Sequence, residues 1–347
     1  MRITANGAQL LQPPCGVRNF SEEFLKRLNA DPRFSLTLVG PADRAGYASQ
    51  AQMDLVDRVL TPPTAFSHPF LAQSLDAFLW ETVQFPAIVR HEPPDLVLST
   101  FQSIFQKLPT DSFAIVPVIH DVIQWDPVIQ IEPPLHRFIY DEYRLACQKA
   151  DHILTVSQFS KREIMRVAAI PADRITVIYE SIAPAFMEVP SMPDPALDTV
   201  PKPYILATGG IAIRKNVHEL LQAFCLLREK KPELHLVLTG SFDHLQEKYP
   251  AYYATCRALL ELPVLKETVH VLQPRSQAEL IHWYRQAACV AYLSEYEGFG
   301  LPVLESFATG VPVVASNLSS IPEVAGDAAL LVNPHELDII VDAILRV

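Results

Sequence analysis

The stretch EYEGFGLPVLE, residues 295–305, follows a short apolar run that ends near Ser294, and it has the pattern of a strand, a glycine turn and a helix start. Pro302 suits the first turn of a helix, where its missing N–H is not needed. Gly298 and Gly300 allow the backbone to approach a ligand closely. Because backbone N–H groups at a helix start attract anions, the stretch predicts an anion-binding turn between a strand and a helix.

Two carboxylates flank these glycines. Glu305 is predicted to lie within the first helical turn, where a carboxylate can accept hydrogen bonds from a ribose diol. Glu297 precedes the glycines and is placed to reach sugar hydroxyls. The alternative is an ordinary strand, turn and helix with two solvated carboxylates.

Eleven short apolar runs, near-continuous in Val, Ile and Leu, recur along the chain with helical stretches between them. Strands buried on both faces, as in a parallel sheet covered by helices, have this continuous pattern. The sequence therefore predicts an α/β fold. The runs are Ser35–Val39, Asp95–Ser99, Ala114–Ile119, His152–Val156, Ile175–Tyr179, Tyr204–Thr208, Leu234–Thr239, Val269–Leu272, Cys289–Leu293, Pro312–Ala315 and Ala329–Val332.

Prolines divide the chain. Six of them fall in residues 184–203, which show neither helical nor strand periodicity and are predicted to form a semi-rigid linker. The predicted domains are residues 1–183 and 204–347. Four helix starts have the spacing of a capping box. They are Ser160 with Glu163, Asn216 with Glu219, Ser276 with Glu279, and Ser320 with Glu323.

Composition excludes several classes of protein. The 347 residues are 49% hydrophobic and 19% charged, which argues against disorder. A net charge of −11 argues against a general nucleic-acid binder. No apolar run spans a bilayer and the N-terminus lacks a signal peptide, so we expect a cytoplasmic location. The five cysteines are scattered, so we expect free thiols, and neither a zinc site nor a disulfide framework.

A second glycine-containing turn, TGGIAIRKN at residues 208–216, follows the first strand of the C-terminal half. Gly209 and Gly210 suit a tight turn, Arg214 and Lys215 supply positive charge, and Asn216 caps the next helix. A diphosphate is bound by arginine, lysine and a positive helix end. Basic residues at a helix start are more often simply surface residues, which is the alternative here.

These motifs, with GVPVVAS at residues 310–316 and IPEV at 321–324, together resemble the retaining family 4 (group 1) glycosyltransferases of GT-B fold. Glu297 and Glu305 match the two glutamates of that family's signature. The resemblance implies two Rossmann-like parallel-sheet domains that face each other across a cleft, with the C-terminal domain binding a nucleotide-sugar. The implied donor-binding residues are Gly16, Gly209, Gly210, Asn216, Gly298, Phe299, Gly300, Leu301 and Glu305.

In the N-terminal half, His120 follows a predicted buried strand, at the edge where an α/β sheet binds ligands. It resembles the family's histidine that faces the donor sugar, although a lone histidine is often structural. Gly16 lies in a loop that resembles the family's glycine-rich loop. Arg18 follows it and would either contact phosphate or simply be exposed. The implied catalytic residues are His120, Glu297, Arg214 and Lys215.

The resemblance implies a retaining hexosyltransferase of polysaccharide biosynthesis that works by front-face attack. The subset with Arg-Lys-Asn at 214–216 is most similar to mannosyltransferases that use GDP-mannose, although users of UDP-linked donors share these motifs. No Asp-x-Asp occurs, so we expect no metal. The acceptor is expected to be a saccharide or a lipid-linked saccharide, the latter requiring peripheral contact at the inner face of the membrane. Family members usually continue beyond the helix at which this chain ends.

Two alternatives stay open at this point. One is a disaccharide synthase or phosphorylase of GT-B fold. The other is a catalytically silent GT-B module that binds nucleotide, which Gln273 favours because relatives usually have glycine in that loop.

Overall fold

The computed structural model describes residues 1–11, 16–41, 55, 57–60, 77–103, 108, 112–125, 134–188 and 200–347. The chain divides into two compact units, Met1–Glu180 and Ser181–Val347. Each unit is built on one parallel sheet, which confirms the α/β prediction.

The first unit contains a seven-stranded sheet in the order β3-β2-β1-β4-β5-β6-β7. Its strands are β1 Arg2–Asn6, β2 Ser35–Pro41, β3 Arg58–Leu60, β4 Leu96–Ser99, β5 Ala114–Ile119, β6 Ile153–Thr155 and β7 Ile175–Val177. Its α-helices are α1 Gly16–Asn29, α2 Phe85–His91, α3 Pro134–Lys149 and α4 Gln158–Ala168, with a π-helical turn at Trp80–Gln84 and 3-10 turns at Ala8–Leu11, Ile123–Trp125 and Ala172–Arg174.

The second unit contains a six-stranded sheet in the order β10-β9-β8-β11-β12-β13. Its strands are β8 Tyr204–Ala207, β9 His235–Thr239, β10 Val269–Leu272, β11 Cys289–Tyr292, β12 Val313–Ser316 and β13 Leu330–Val332. Its α-helices are α5 Val217–Lys230, α6 Asp243–Lys248, α7 Pro250–Leu260, α8 Pro263–Lys266, α9 Gln277–Gln286, α10 Leu301–Thr309, α11 Ile321–Ala325 and α12 Leu337–Arg346, with 3-10 turns at Pro184–Phe186 and Ile213–Lys215.

Helices cover both faces of the second sheet, and this explains its continuous apolar strands. Along β8, Ile205 packs into one buried cluster and its neighbour Leu206 into another. Along β9, Leu236 and Val237 divide in the same way. Because successive side chains of a strand point to opposite faces, adjacent positions in the middle of these strands are both apolar. Among the described strands, β1 and the three-residue β3 fall outside the predicted runs.

Of the four predicted N-cap residues, one makes the predicted side-chain cap. The hydroxyl of Ser276 accepts a hydrogen bond from the N–H of Glu279 at 3.2 Å, as predicted. For α4 the prediction is wrong by one turn, because the cap is Ser157, whose hydroxyl accepts from the N–H of Ser160 at 2.9 Å. Asn216 and Ser320 make no side-chain cap, and their polar groups bond elsewhere.

The ends of the predicted linker belong to the hydrophobic interior of the second unit. Phe186, within the 3-10 turn Pro184–Phe186, and Val200 are buried in the cluster that contains Tyr204. Residues 189–199 of the predicted linker lie outside the described residues. The four described cysteines are free thiols, as expected, and Cys15 is not among the described residues.

Candidate active site

The strand order predicts where each unit would bind a ligand. In each sheet the first strand of the unit lies between the second and the fourth. The strands remain parallel, but the order in which they are added to the sheet reverses at this point. Ligands of open α/β sheets bind at the carboxyl ends of the strands beside such a reversal. In the second unit, the two loops at this point follow β8 and β11, and they contain the two glycine motifs.

Three donors converge on one carboxylate oxygen in these loops. The Oε1 atom of Glu297 accepts a hydrogen bond from Lys215 Nζ at 2.5 Å and from Ser294 Oγ at 2.6 Å. Arg214 Nη1 donates to the same oxygen and, at 3.0 Å, to the carbonyl of Tyr296. Lys215 and Glu297 are buried, with 8% and 12% of their side chains exposed, whereas Arg214 is 38% exposed.

Opposing effects set the charge of this cluster. Burial acts to raise the pKa of Glu297, since the ionised form loses its hydration. The charges of Lys215 and Arg214, together with the hydrogen bonds, outweigh burial and lower this pKa to about 2. Burial also lowers the pKa of Lys215, and the charge of Glu297 opposes that shift. Glu297 is therefore ionised at neutral pH, and two basic side chains face one carboxylate.

The loop after β8 is shaped to hold Lys215 in place. Lys215 Nζ donates to the hydroxyl of Tyr292 at 3.0 Å and lies 4.6 Å from the centre of its ring. Gly209 has φ +93°, and a Cβ there would lie 3.1 Å from Lys215 Nζ. Asn216 adopts a left-handed conformation, φ 50°, and its side-chain amide donates to the carbonyl of Leu293 at 2.9 Å. Asn216 therefore ties the two loops together and does not cap α5 as predicted.

The loop after β11 is fixed by a neighbouring helix start. The hydroxyl of Ser320 bonds the carbonyls of Glu297 at 2.9 Å and Phe299 at 2.6 Å. The hydroxyl that the sequence assigned to a helix cap therefore donates to loop carbonyls. Gly300 has φ 114° and stands at the N-cap of α10, with Pro302 in the first turn as predicted.

Glu305 lies one turn later than predicted. It is the fifth residue of α10, outside the first turn. Its Oε2 atom accepts a hydrogen bond from the hydroxyl of Tyr284 at 2.6 Å, and burial raises its pKa. Both glutamates accept a hydrogen bond from a hydroxyl, but Glu305 differs from Glu297 because it makes no direct ion pair among the described residues.

Two cavities lie near this edge of the second sheet. A small one of about 20 Å³, lined in part by Thr208, Lys215 and Tyr292, has room for about one water molecule. Another of about 320 Å³ follows β9 and β10 and is lined in part by Asp243 and Gln273. The second volume suits a group of the size of a small ligand.

In the first unit, His120 follows β5 and is buried, with 7% of its side chain exposed. Its Nδ1 lies 2.9 Å from Oε1 of Glu180, and its Nε2 lies 3.0 Å from the carbonyl of Thr100. No sequence motif pointed to Glu180. The available signal was its position, because it follows β7 by three residues, at the same sheet edge as His120.

Gly16 is the first residue of α1, and residues 12–15 before it are not described. From the same helix, the ring of Phe20 packs edge-on against His120 with 4.8 Å between ring centres. Arg18 is buried with 5% exposed, so the alternative of a simply exposed arginine is wrong.

Comparison with known families accounts for both units. The family of glycosyl transferases group 1 matches residues 195–347, and glycosyltransferase family 4 matches residues 15–186. The chain belongs to the group 1, family 4 glycosyltransferases. This confirms the resemblance that the two glycine motifs indicated.

Named relatives of this glycosyltransferase chain include two from Escherichia coli. The chain is 36% identical over 223 residues to O-antigen chain mannosyltransferase B, covering 61% of this chain and 56% of that protein. It is 27% identical over 273 residues to the serotype-specific mannosyltransferase WbdA, covering 70% of this chain and 31% of that protein. The matches thus span about half or less of these relatives.

A solved structure shows the same fold. WaaG, a glycosyltransferase involved in lipopolysaccharide biosynthesis, superposes with a TM-score of 0.70 at 14% identity, covering 100% of this chain and 90% of that one. This confirms the GT-B fold, with a Rossmann-like parallel sheet in each unit.

The structure brings together most of the residues that were predicted as donor-binding or catalytic. The two loops described above contain Gly209, Gly210, Arg214, Lys215, Asn216, Glu297, Gly298, Phe299 and Gly300, and the helix that follows contains Leu301 and Glu305. His120 and Gly16 belong to the first unit. Among the described residues, no group of three or more His, Cys, Asp or Glu is placed to hold a metal ion. Within the same ranges, no helix is long and apolar enough to cross a membrane.

Proposed function

We propose that this chain is a retaining hexosyltransferase that transfers mannose from GDP-mannose to a saccharide or lipid-linked saccharide without a metal ion. The observation that carries the proposal is the cluster around Glu297, where Lys215 and Arg214 face a single carboxylate at the strand ends. A site with more basic than acidic groups attracts an anion, and a nucleoside diphosphate is such an anion.

Sugar transfer by this route requires positive charge beside the leaving diphosphate, and it requires no nucleophilic side chain. As the bond between the sugar's anomeric carbon and the diphosphate oxygen breaks, negative charge grows on the diphosphate and positive charge on the sugar ring. Fixed cations that meet the growing negative charge lower the barrier. Lys215 and Arg214 supply this charge in place of a divalent cation.

Front-face attack completes the reaction. The oxygen of the acceptor hydroxyl bonds to the anomeric carbon on the face that the diphosphate leaves, so configuration is retained. The proton of that hydroxyl passes to the departing phosphate oxygen. Glu297 stays ionised and orients the donor sugar through its hydroxyls, while Glu305 accepts from the ribose.

Two observations support mannose over other hexoses. Both relatives described above are named mannosyltransferases. The chain also has the Arg-Lys-Asn sequence at residues 214–216, which resembles the subset of the family that uses GDP-mannose. A lipid-linked acceptor would bring the protein to the inner face of the membrane.

The test is a thermal-shift panel with GDP, UDP, dTDP, ADP and CDP, each with magnesium and with EDTA. A ligand at a hundred times its dissociation constant stabilises the folded state by about 2.7 kcal/mol. We expect GDP to raise the melting temperature equally in magnesium and in EDTA. A matched Lys215→Met variant should lose most of that shift.

Transfer from labelled GDP-mannose then tests the reaction itself, with the anomeric configuration of the product as the test of retention. A larger shift with UDP than with GDP would reject the mannose donor. A shift that needs magnesium would reject metal independence. No shift with any nucleotide would reject a nucleotide-sugar site in this chain, whereas a GDP shift without transfer would indicate the catalytically silent module.

A further inference from the structure

Both ring nitrogens of His120 meet hydrogen-bond acceptors. The carbonyl oxygen of Thr100, 3.0 Å from Nε2, can only accept, so Nε2 carries a proton. Nδ1 lies 2.9 Å from Oε1 of Glu180. That contact also needs a proton between the two atoms, because two lone pairs at this distance repel each other. The pair therefore holds one proton beyond the one on Nε2.

The surroundings favour the proton on the ring. Burial acts to lower the pKa of His120, but the hydrogen bond and charge of Glu180, with smaller contributions from Thr100 and Asp121, outweigh burial and raise it. The two side chains are 7% and 8% exposed, so little solvent screens the interaction between them.

Two aromatic rings and two further hydrogen bonds surround His120. Phe20 packs edge-on against it, and the ring of Phe101 lies at 6.4 Å between centres. The hydroxyl of Ser160 bonds the backbone carbonyl of His120 at 2.8 Å. Asp121 accepts from the N–H of Ile123 at 3.2 Å. Among the described residues, Glu180 is the one carboxylate that hydrogen-bonds the ring.

We propose that Glu180 is a positioning residue that holds His120 as an imidazolium with both nitrogens bonded, and that sugar transfer requires this protonated ring. The second part rests on the proposed function. A ring protonated at both nitrogens cannot accept the proton of an acceptor hydroxyl, so His120 is not the general base. Without its Nδ1 proton the ring would turn a lone pair to Glu180 and lose its orientation against Thr100.

The first measurement is the protonation state of His120 in the full chain, read from the nitrogen shifts of the labelled ring. The wild type is expected to be protonated at both nitrogens at neutral pH. Glu180→Gln keeps the shape and a hydrogen-bonding group but removes the charge, so burial should leave its ring neutral at neutral pH. Asp121→Asn, which removes a carboxylate that does not bond the ring, should shift the ring's titration less.

The second measurement is the pH dependence of transfer. In Glu180→Gln, transfer should recover as the pH falls, because acid restores the imidazolium. Its loss at neutral pH should be about tenfold for each pH unit by which the ring's pKa falls below the assay pH. A variant that only loosens the fold would lose activity equally at every pH, and thermal unfolding of each variant checks this.

The ring shifts test the role of Glu180, and the pH profile tests whether transfer needs the charged ring. A neutral ring in the wild type, or a doubly protonated ring in Glu180→Gln, would overturn the role of Glu180. Ring shifts as expected with no change in the shape of the pH profile would overturn the need for the charged ring in transfer. If the wild type transfers no sugar from any donor, the proposed function fails, and the ring shifts still decide what Glu180 does.

Discussion

In each unit a carboxylate with little solvent exposure meets cationic partners near the strand ends, and the two arrangements differ in the number of those partners. In the first unit, Glu180 faces a single histidine. In the second, Lys215 and Arg214 both bond one oxygen of Glu297, and Ser294 adds a third donor. The first pair is balanced and the second has more basic groups than acidic ones.

This difference in the number of cationic partners indicates two different roles for a buried carboxylate. A balanced pair fixes the geometry of its members and has little net attraction for an anion. An excess of basic groups leaves attraction for a further anion, which is what a diphosphate site needs. The comparison therefore predicts that substitutions in the second unit will affect nucleotide binding most, whereas those in the first will change the pH dependence of transfer.

The largest expected effect follows from Lys215→Met. Removing one partner of a buried ion pair leaves charge uncompensated, and this typically costs about 3–5 kcal/mol. Since Arg214 still pairs with Glu297, we expect a loss near the low end, about 3 kcal/mol, in the free energy of unfolding by urea. Transfer should fall by about 10²–10³-fold, as when a group that stabilises a transition-state charge is removed.

Arg214→Gln is the matched control for that variant. Its guanidinium is 38% exposed, so solvent screens its pair with Glu297. We expect a stability loss below about 1 kcal/mol and a loss of transfer of about tenfold. Equal effects of the two variants on stability would show that burial does not distinguish the two cations.

A further test of the second unit is the pH dependence of its stability, which Glu297→Gln isolates. The pKa of Glu297 is lowered from 4.5 to about 2 in the folded state. A lowered carboxyl pKa contributes stability above the unfolded value, and that contribution is lost as the pH falls through the folded value. The wild type should therefore lose stability between about pH 5 and pH 2, by about 1.4 kcal/mol for each pH unit that separates the folded pKa from the unfolded one.

Glu297→Gln should be less stable than the wild type at neutral pH, because Lys215 and Arg214 then face each other without the carboxylate. Its stability should fall less steeply over the acid range. Urea unfolding of both proteins across this range is the measurement. Parallel curves would mean that Glu297 titrates normally and that the cations do not hold its charge.

Local sequence signals were enough to predict most of the strands and the two glycine turns. Gly300 was expected in a turn and has φ 114°, and Glu297 and Lys215 follow predicted strands. These features depend on neighbours in the chain. Strand ends of a parallel sheet share an edge, so the order of elements alone brings the two loops close.

What the sequence did not predict depends on partners far along the chain. Glu180 is separated by 60 residues from His120. Asn216 and Ser320 had the spacing of helix caps, yet they bond loop carbonyls 77 and 21–23 residues away. An unpaired loop carbonyl competes with the helix N–H groups for the same side chain, and spacing alone cannot show which one prevails.

The smallest expected effect is a difference in GDP binding between alanine variants of two adjacent glycines in the second unit. Gly209 and Gly210 have φ +93° and +86°, so alanine is strained at either position, by roughly 1–2 kcal/mol. A Cβ at Gly209 would lie 3.1 Å from Lys215 Nζ, whereas a Cβ at Gly210 meets no atom within 4 Å. Both variants should lose similar stability, but Gly209→Ala should also displace the ammonium group and weaken GDP binding several-fold more than Gly210→Ala. Calorimetric titration of both with GDP is the measurement. If the two bind GDP equally well, the position of Lys215 Nζ does not limit binding, and the excess of basic groups acts through its charge alone.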